Sequence, residues 1–298
     1  MKNKNIQIKK ISDGKKINGR IIECKSHKFE VDKLDKKLIS DIFFKDGLII
    51  FENFRINPEN FFLLTKKFTF AYANDAFRRE IKFANKSIRS VDLGNQKVTL
   101  HSESSFTLTR PKIIWFMCIK PPKKIDGGET IICDGQQLWQ NLKIDKKIFF
   151  KKNPLIYDVK VKIKDYDIKN KKKWYLNDVG IYDEVINYSK NNISFKKKIF
   201  AVERDFFSNE LVFANHLLSV KDEDQIVKVY YDNKKEIPKK YISDIVKTSK
   251  KLIYSHKWKK NQVIMINNYR FMHGRNKIIR NSKREIINSQ TLIPNFNF

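Results

Sequence analysis

"LHSESSFTLTRP", residues 100–111, places a histidine two positions before a glutamate at the end of a short apolar run. A β-strand puts residues i and i+2 on one face, so an extended conformation would point His101 and Glu103 the same way. An imidazole and a carboxylate on one face are the beginning of a metal site. The third ligand must then come from another segment of the chain.

The chain has only five histidines, which keeps the number of candidate ligand sets small. His273, in "NNYRFMHGR", is the best third ligand, because it lies in a turn-like stretch after a predicted strand. Two histidines and one carboxylate leave coordination positions open, as in non-haem Fe(II) oxygenases, and the same set suits catalytic zinc. Because His-x-Glu occurs often by chance, the assignment depends on the motifs that accompany it.

The composition indicates a folded chain with a large core. It has 298 residues, 41% of them hydrophobic and 13% aromatic, which argues against disorder. The formal charge of +29 raises the question of nucleic acid or an anionic membrane as a partner. The excess is lysine scattered along the chain, with many Asn, Ile and Phe residues. We interpret it as the codon usage of an AT-rich genome and expect no nucleic acid partner.

Three separated cysteines without a C-x-x-C pair predict no disulfide framework and a reducing, cytoplasmic setting. The N-terminal "MKNKNIQIKK" has charge but no apolar segment of the secretory type. The longest apolar run, "IIWFMCI" at 113–119, is too short to cross a bilayer. We therefore expect no membrane partner.

The pattern of apolar residues predicts many short strands and few long helices. A helix should begin at Asn57 and Pro58, which fit the cap and first position. Helical spacing also covers residues 135–144 and 239–258. The predicted strands are 48–51, 98–101, 112–119, 130–134, the apolar part of 262–275, and 284–293. The prediction is one mainly β domain with flanking helices over residues 1–298, with 150–200 as an insertion or a lid.

Two further motifs accompany the ligand set. Four arginines fall between 270 and 284 in a chain that otherwise prefers lysine. A guanidinium binds a carboxylate through two parallel hydrogen bonds, which lysine cannot do. Arg284, eleven residues after His273, is the best candidate for such a contact, and Arg280 is the alternative. "GGET" at 127–130 gives a tight turn followed by the hydroxyl of Thr130.

Taken in order, these motifs resemble the TauD/TfdA family of Fe(II)/2-oxoglutarate-dependent dioxygenases. The similar segments are "DGLIIFENF", the stretch from "LHSESSF" to "GGETIICDGQQLW", "VFANHL", and "WKKNQVIMINNYRFMHGRNKIIRNSKREI". The resemblance runs from about residue 40 to the C-terminus. In one departure, Asn267 stands where related proteins usually have Asp.

The resemblance implies a double-stranded β-helix, or jelly-roll, fold. It implies that His101, Glu103 and His273 bind Fe(II), and that Thr130 and Arg284 hold the remote carboxylate of the cosubstrate 2-oxoglutarate. With O2, such an enzyme hydroxylates or desaturates a small molecule and releases succinate and CO2.

The residues that bind the primary substrate are predicted from their position beside the ligand motifs. They are Ser102, Ser104, Asn215 and Arg275. The motif style of "HSESSF" and "HGR" is closer to tailoring enzymes of small-metabolite biosynthesis than to enzymes that act on taurine. The substrate itself and the formation of a homo-oligomer stay open.

Two other functions are consistent with parts of the sequence. A zinc hydrolase could use the same His/Glu/His set, but it would need neither Arg284 nor the "GGET" loop. A basic nucleic-acid-binding protein would account for the charge, but the chain carries no module signature of that class. The metal that supports turnover distinguishes the first alternative, and salt-sensitive retention on nucleic acid distinguishes the second.

Overall fold

The computed structural model describes residues 5–11, 17–26, 28–73, 87–91, 94–107, 110–123, 125–162, 187–189, 192–219, 221–222, 225–232, 235–279 and 283–297. Within these ranges the α-helices are α1 (Lys36–Asp46), α2 (Pro58–Lys67), α3 (Gly135–Asn141), α4 (Ile144–Lys152) and α5 (Lys239–Leu252).

The strands of the described residues are, in chain order, β1 (Ile6–Lys10), β2 (Arg20–Cys24), β3 (Leu48–Glu52), β4 (Thr69–Tyr72), β5 (Arg89–Ser90), β6 (Val98–His101), β7 (Ile113–Lys120), β8 (Thr130–Asp134), β9 (Leu155–Lys162), β10 (Asn187–Ser189), β11 (Asn192–Ile199), β12 (Glu203–Arg204), β13 (Leu211–Val212), β14 (Lys221–Asp222), β15 (Gln225–Tyr231), β16 (Lys235–Glu236), β17 (Tyr254–His256), β18 (Val263–Asn267), β19 (Phe271–Arg275) and β20 (Glu285–Pro294).

Side-chain caps begin the first two helices. The carboxylate of Asp35 accepts a hydrogen bond from the backbone N–H of Lys37 at the start of α1. At the start of α2, the Asn57 side chain accepts from the backbone N–H of Asn60, and Pro58 occupies the first turn. Each cap satisfies a helical N–H that has no partner within the helix. The predicted start of α2 is confirmed.

Most strands belong to three sheets. The largest has the order β1-β2-β3-β18-β7-β20-β4, and β5 pairs with β20 beside this path. A second sheet has the order β17-β8-β19-β6. The third has the order β10-β11-β9-β15-β14, with β16 paired to β15. Both β18 and β20 pair with β7 in antiparallel fashion, so strands distant in sequence become neighbours in the largest sheet.

The largest sheet and the β17-β8-β19-β6 sheet face each other across an apolar layer. On β7, Phe116 and Cys118 belong to this layer, whereas the intervening Met117 belongs to a different cluster. Ile132 of β8 and Phe271 of β19 enter the same layer from the second sheet. Alternate residues of each strand therefore line a shared interior.

Helices and the third sheet cover the outer faces. Phe43 of α1 and Phe61 of α2 pack on the outside of the largest sheet. Cys133 of β8 packs with Leu138 of α3 and Ile245 of α5 on the outside of the second sheet. Both main sheets are thus buried on two faces, which explains the continuous apolar runs in β7, β8 and β18.

The structure confirms the prediction of a mainly β protein with few helices. Strands at 98–101 and 130–134 have the predicted bounds. The prediction of helix across 239–258 is wrong in its second part, because α5 ends at Leu252 and β17 follows. Residues of β17 pair with β8, and this ladder outweighs the local helical periodicity.

The region 150–200 supplies strands to the third sheet. Here β9 pairs with β11 over its whole length. Residues 163–186 lie outside the described residues, so the insertion or lid proposed there stays a prediction. Within the described ranges, no helix is both long and apolar enough to span a bilayer.

Strands β6 and β19 come together very closely at Gly274. A Cβ atom on Gly274 would lie 2.5 Å from the carbonyl oxygen of Val98 and 2.9 Å from that of Thr99. Both neighbours are backbone atoms, which cannot move aside as a side chain can. Glycine at this position therefore sets the spacing between the two strands that carry the histidines of the motif.

We predict that Gly274→Ala lowers the free energy of unfolding by about 1–3 kcal/mol, because the added methyl group overpacks a backbone contact. Urea unfolding measures the loss. Gly94→Ala is the matched control, since a Cβ there would meet nothing within 4 Å. Equal stability of the two variants would contradict the packing argument.

Candidate metal centre

The two histidines of the predicted site lie directly opposite each other on neighbouring strands. His101 ends β6, His273 is the central residue of β19, and the two are paired in the sheet register. Paired residues share a face of the sheet, and here their ring centroids are 4.6 Å apart. Both side chains are buried, with His101 8% and His273 5% exposed.

Glu103 reaches the histidines from a turn. An extended conformation through Glu103 would have put it on the same face as His101, but β6 ends at His101 and a turn follows. Ser104 in that turn has a φ of 50°. The turn nevertheless brings Glu103 Oε2 to 3.7 Å from His101 Nε2 and 3.8 Å from His273 Nε2.

The three side chains converge closely enough to form a candidate metal site. One ligand atom from each lies within 4.8 Å of the others. Two nitrogen or oxygen ligands of one ion, each at about 2.1 Å from it, can be at most about 4.2 Å apart, and both Nε2–Oε2 distances satisfy this limit. His101 Nδ1 lies 2.8 Å from the carbonyl oxygen of Thr99. Nδ1 therefore carries the proton, which leaves Nε2 as the metal-binding nitrogen.

Asn268 holds the turn that carries Glu103. Its Oδ1 accepts from the backbone N–H of Glu103 at 2.9 Å, and its Nδ2 donates to the Glu103 carbonyl at 3.0 Å. Nδ2 also donates to the carbonyl of Pro111 at 2.8 Å. Asn268 is completely buried. One side chain thus replaces, for Glu103, the hydrogen bonds that a neighbouring strand would make.

Arg110 stabilises the positions of Asn268 and Ser102 through hydrogen bonds. Its guanidinium donates to Ser102 Oγ at 3.1 Å, to the Asn268 carbonyl at 3.0 Å and to the Ala214 carbonyl at 2.9 Å. It also pairs with the carboxylate of Glu203. Four separate segments therefore meet at one buried arginine next to the turn.

Ser102 and Asn215, predicted to bind substrate, are occupied with structural contacts. The Ser102 hydroxyl donates to the Asn268 carbonyl at 2.6 Å, and Ser102 is completely buried. Asn215 donates to the Ala201 carbonyl at 2.8 Å and accepts from the N–H of Leu217 at 2.9 Å. These hydrogen-bonding groups are engaged within the protein, and a substrate role for either residue stays a prediction.

The other two predicted substrate residues differ in their surroundings. Arg275 is buried in β19 and donates to the carbonyls of Gly94 and Gln96. Ser104 is half-buried in the turn, and its carbonyl accepts from the Thr107 hydroxyl at 3.0 Å. A substrate role for either residue stays a prediction.

The "GGET" loop lies against Arg284. Gly127 and Gly128 have φ values of 70° and 78°, which favour glycine. A Cβ on Gly128 would lie 3.5 Å from Cδ of Arg284. Thr130, paired with Arg275 in the sheet, is also buried, and its Oγ1 accepts from Trp258 Nε1 at 2.9 Å. The threonine hydroxyl keeps its own hydrogen to donate elsewhere.

Burial dominates the electrostatics of Arg284. Burial, the largest cause, and the nearby positive charge of Arg275 together lower the pKa of the guanidinium to about 10. A site that holds two guanidinium groups away from water favours an anion. Arg280, the alternative, lies outside the described residues.

His216, another histidine near the centre, is not part of the ligand set. Its ring centroid lies 5.1 Å from that of His101. Burial lowers the pKa of His216 to about 3. The group of possible metal ligands among the described residues consists of His101, Glu103 and His273.

The family model "Taurine catabolism dioxygenase TauD, TfdA family" matches residues 23–289. The chain belongs to this family. The prediction of family membership is confirmed, while the roles of the individual site residues stay predictions.

A curated relative of this chain is 3-((Z)-2-isocyanoethenyl)-1H-indole synthase of Fischerella ambigua (strain UTEX 1903), 21% identical over 208 residues. The match covers 64% of this chain and only 62% of the relative's length.

Solved structures resemble this chain over nearly its whole length. PvcB, described as an Fe, alpha-ketoglutarate dependent oxygenase from an isonitrile synthetic pathway, has a TM-score of 0.63 at 12% identity and covers 98% of this chain and 93% of its own. A taurine dioxygenase from Burkholderia xenovorans has a TM-score of 0.66 at 12% identity, with coverages of 96% and 89%. At such identities the likeness shows the fold alone.

Sequence reasoning missed the residues that support the predicted metal ligands. Asn268 was visible only as the second residue of "NN". Asn267, noted as a departure from Asp, donates from Nδ2 to the buried carboxylate of Asp205 at 2.7 Å. A carboxylate is thus present at this place but comes from a distant segment. The contacts of Trp258 and Arg110 carry no local sequence signal.

We predict that Asn268→Ala weakens Fe(II) binding at least tenfold, about 1.4 kcal/mol, because the turn no longer holds Glu103 in place. Stability should also fall, by roughly 1–3 kcal/mol for each buried backbone group left without a partner. Calorimetric titration with the metal and urea unfolding measure the two effects.

Gln262→Ala is the matched control for Asn268→Ala. Gln262, directly before β18, is another buried amide, and its side chain is bonded to His256 and to the N–H of Lys259. The Gln262→Ala protein should be less stable but should bind the metal with unchanged affinity. A loss of metal affinity of the same size in the control would show that general destabilisation explains both results.

We predict that acid destabilises the protein through His256. Burial, the largest cause, and the charge of Lys259 together lower the pKa of His256 in the folded protein to about 4, although its hydrogen bond with Gln262 acts in the opposite direction. Between about pH 6.5 and 4 the unfolded chain therefore binds a proton that the folded chain does not, so stability falls as the pH decreases.

Urea unfolding at pH 7, 6 and 5 tests this, with His256→Gln as the comparison. The variant should show a shallower fall, by at most about 1.4 kcal/mol per pH unit for one proton. Identical slopes in both proteins would rule out His256 as the source.

Proposed function

We propose that this protein is an Fe(II)- and 2-oxoglutarate-dependent oxygenase that hydroxylates or desaturates a small molecule and releases succinate and CO2. The observation that carries the proposal is the convergence of His101, Glu103 and His273 inside the sheet pair. The match to the dioxygenase family supports it. Two sheets that face each other across a buried interior suit a jelly-roll fold, here proposed as one domain over residues 1–298.

Different residues would bind Fe(II) and 2-oxoglutarate. His101 Nε2, His273 and the Glu103 carboxylate would hold Fe(II), a donor set typical of non-haem iron oxygenases. Arg284 would receive the remote carboxylate of 2-oxoglutarate through its guanidinium, and the Thr130 hydroxyl would donate a further hydrogen bond. Trp258 fixes the direction of that hydroxyl, because its indole N–H occupies an acceptor position of Oγ1.

Bound Fe(II) and 2-oxoglutarate supply the oxidative chemistry with O2. The protein contributes placement and a site removed from water. Both histidines are buried, and Phe116 packs edge-on against His273 at 5.4 Å. Asn268 keeps the Glu103 main chain fixed, so the carboxylate is held in place before the metal binds.

For the primary substrate we propose a small molecule derived from an amino acid and carrying an isocyano group. The support is that the curated relative makes an isocyanoethenyl indole and that PvcB belongs to an isonitrile synthetic pathway. The "HSESSF" and "HGR" motifs also resemble those of biosynthetic tailoring enzymes more than those of enzymes that act on taurine.

Metal reconstitution tests the proposed function. The apo protein loaded with Fe(II) should convert 2-oxoglutarate to succinate, slowly without a primary substrate, and the zinc-loaded protein should not. His273→Ala should lose this turnover. Turnover in the His273→Ala protein, or hydrolysis that depends on zinc, would overturn the proposal.

We predict that Arg284→Lys raises the 2-oxoglutarate concentration needed for half-maximal turnover at least tenfold, about 1.4 kcal/mol. Lysine keeps the positive charge but loses the paired hydrogen bonds to a carboxylate. Titration of 2-oxoglutarate under constant Fe(II) measures the shift. Arg280→Lys is the control and should be nearly silent. A loss confined to the Arg280 variant would assign the carboxylate to Arg280.

A further inference from the structure

A row of three paired residues, two of them polar, crosses the apolar interior beside the candidate metal centre. In the largest sheet, Asn288 of β20 pairs with Phe116 of β7 on one side and with Arg89 of β5 on the other. Residues paired in antiparallel register share a face of the sheet. Phe116 belongs to the apolar layer between the two sheets and contacts His273. The three residues therefore line the same interior as the metal centre.

The neighbouring residues confirm which way this row points. Ile286, two positions before Asn288, belongs to the interior layer, whereas Ile287 belongs to the cluster on the outer face. Likewise Val91, two positions after Arg89, packs on the interior layer, while Ile88 belongs to the outer cluster. Period-two alternation thus places both Asn288 and Arg89 on the inside.

Asn288 has donor capacity that the described part of the protein does not use. The residue is 2% exposed, and its Nδ2 is buried without a hydrogen-bond partner among the described residues. Buried polar groups are nearly always paired, so a buried amide that faces a functional site is best explained by a ligand that accepts from it. The buried guanidinium of Arg89, 7% exposed, lies on the next strand.

The spacing suits a small molecule held between this row and the metal. Neighbouring strands are about 4.8 Å apart, so Arg89 lies about 10 Å across the sheet from Phe116, with Asn288 between them. Arg284 lies four residues before Asn288 and directly before the start of β20, at the end of the strand where the "GGET" loop packs. Two anionic groups could thus be bound at opposite ends of the interior without competing.

We propose that Asn288 and Arg89 form the part of the substrate pocket that binds a carboxylate of the primary substrate. An amide N–H and a guanidinium together match a carboxylate, which accepts several hydrogen bonds and carries a negative charge. The substrate class is then a small carboxylic acid whose apolar part lies over Phe116 toward the metal. The inference rests on the proposed function, because it takes His273 as part of the reaction centre.

The experiment uses the full chain loaded anaerobically with Fe(II) and 2-oxoglutarate, whose binding is measured first. The probes are 3-phenylpropanoate, 3-(indol-3-yl)propanoate and 4-methylpentanoate, each compared with the alcohol of the same carbon skeleton. Calorimetry gives the affinities, and the charge-transfer absorption of the loaded enzyme shows whether a probe reaches the centre. We expect at least one acid to bind at least tenfold more tightly than its alcohol.

Variants then locate the preference. Asn288→Leu, of similar volume, should abolish the preference for acid, and Arg89→Lys should reduce it at least fivefold, with Fe(II) and 2-oxoglutarate binding unchanged in both. Ser289→Ala is the matched control, because Ser289 is equally buried and its Oγ also has no partner among the described residues, but it lies on the outer face of β20.

Two results would overturn the inference. One is equal binding of acids and alcohols, or no binding of any acid, to a protein that binds Fe(II) and 2-oxoglutarate normally. The other is a preference for acid that survives in both Asn288→Leu and Arg89→Lys. Failure of the proposed function is distinct, since it would appear in the preceding titrations as the absence of Fe(II) or 2-oxoglutarate binding.

Discussion

The candidate metal centre depends on the two hydrogen bonds between the Asn268 side chain and the main chain of Glu103. Two of the three ligand residues are fixed by a sheet, whose hydrogen bonds hold β6 and β19 in register. Glu103 has no such ladder, because it lies in the turn beyond β6. The amide of Asn268 supplies both a donor and an acceptor to that turn. A carboxylate on a turn thereby gains a position as well defined as that of the two histidines.

Asn268 is in turn held in place by hydrogen bonds from other buried residues. Its carbonyl accepts from Ser102 and from Arg110, and Arg110 reaches Glu203 and Ala214 at the same time. A buried guanidinium with four hydrogen bonds joins segments that are far apart in sequence. The stability of the outer strands and the geometry of the centre are therefore connected through one polar cluster.

The interior between the two sheets has polar groups at separate places. The imidazoles and Glu103 lie on or beside the second sheet, Arg284 and Thr130 lie where the "GGET" loop packs, and Asn288 with Arg89 lies on the largest sheet. Apolar side chains such as Phe116 and Ile286 separate these groups. The separation would let a metal, a dicarboxylate and a second acid occupy one interior, each with its own charge partner.

The sequence by itself determined the elements, the family and the candidate residues. Apolar runs between turn residues located β7 and β8, and a cap with proline located the start of α2, since both signals are local. His-x-Glu, the distant histidine and "GGET" are short ordered motifs, so the resemblance to the family could be recognised without coordinates.

Only the tertiary structure decided how those residues are held. The same-face argument for His101 and Glu103 required an extended chain, whereas Glu103 lies in a turn fixed by Asn268, 165 residues away. Ser102 and Asn215 looked like pocket residues and are hydrogen-bonded within the protein. Asn288 appeared as an ordinary residue of a strand. Such features depend on contacts between segments far apart in the chain, and neither composition nor periodicity encodes which of those segments meet.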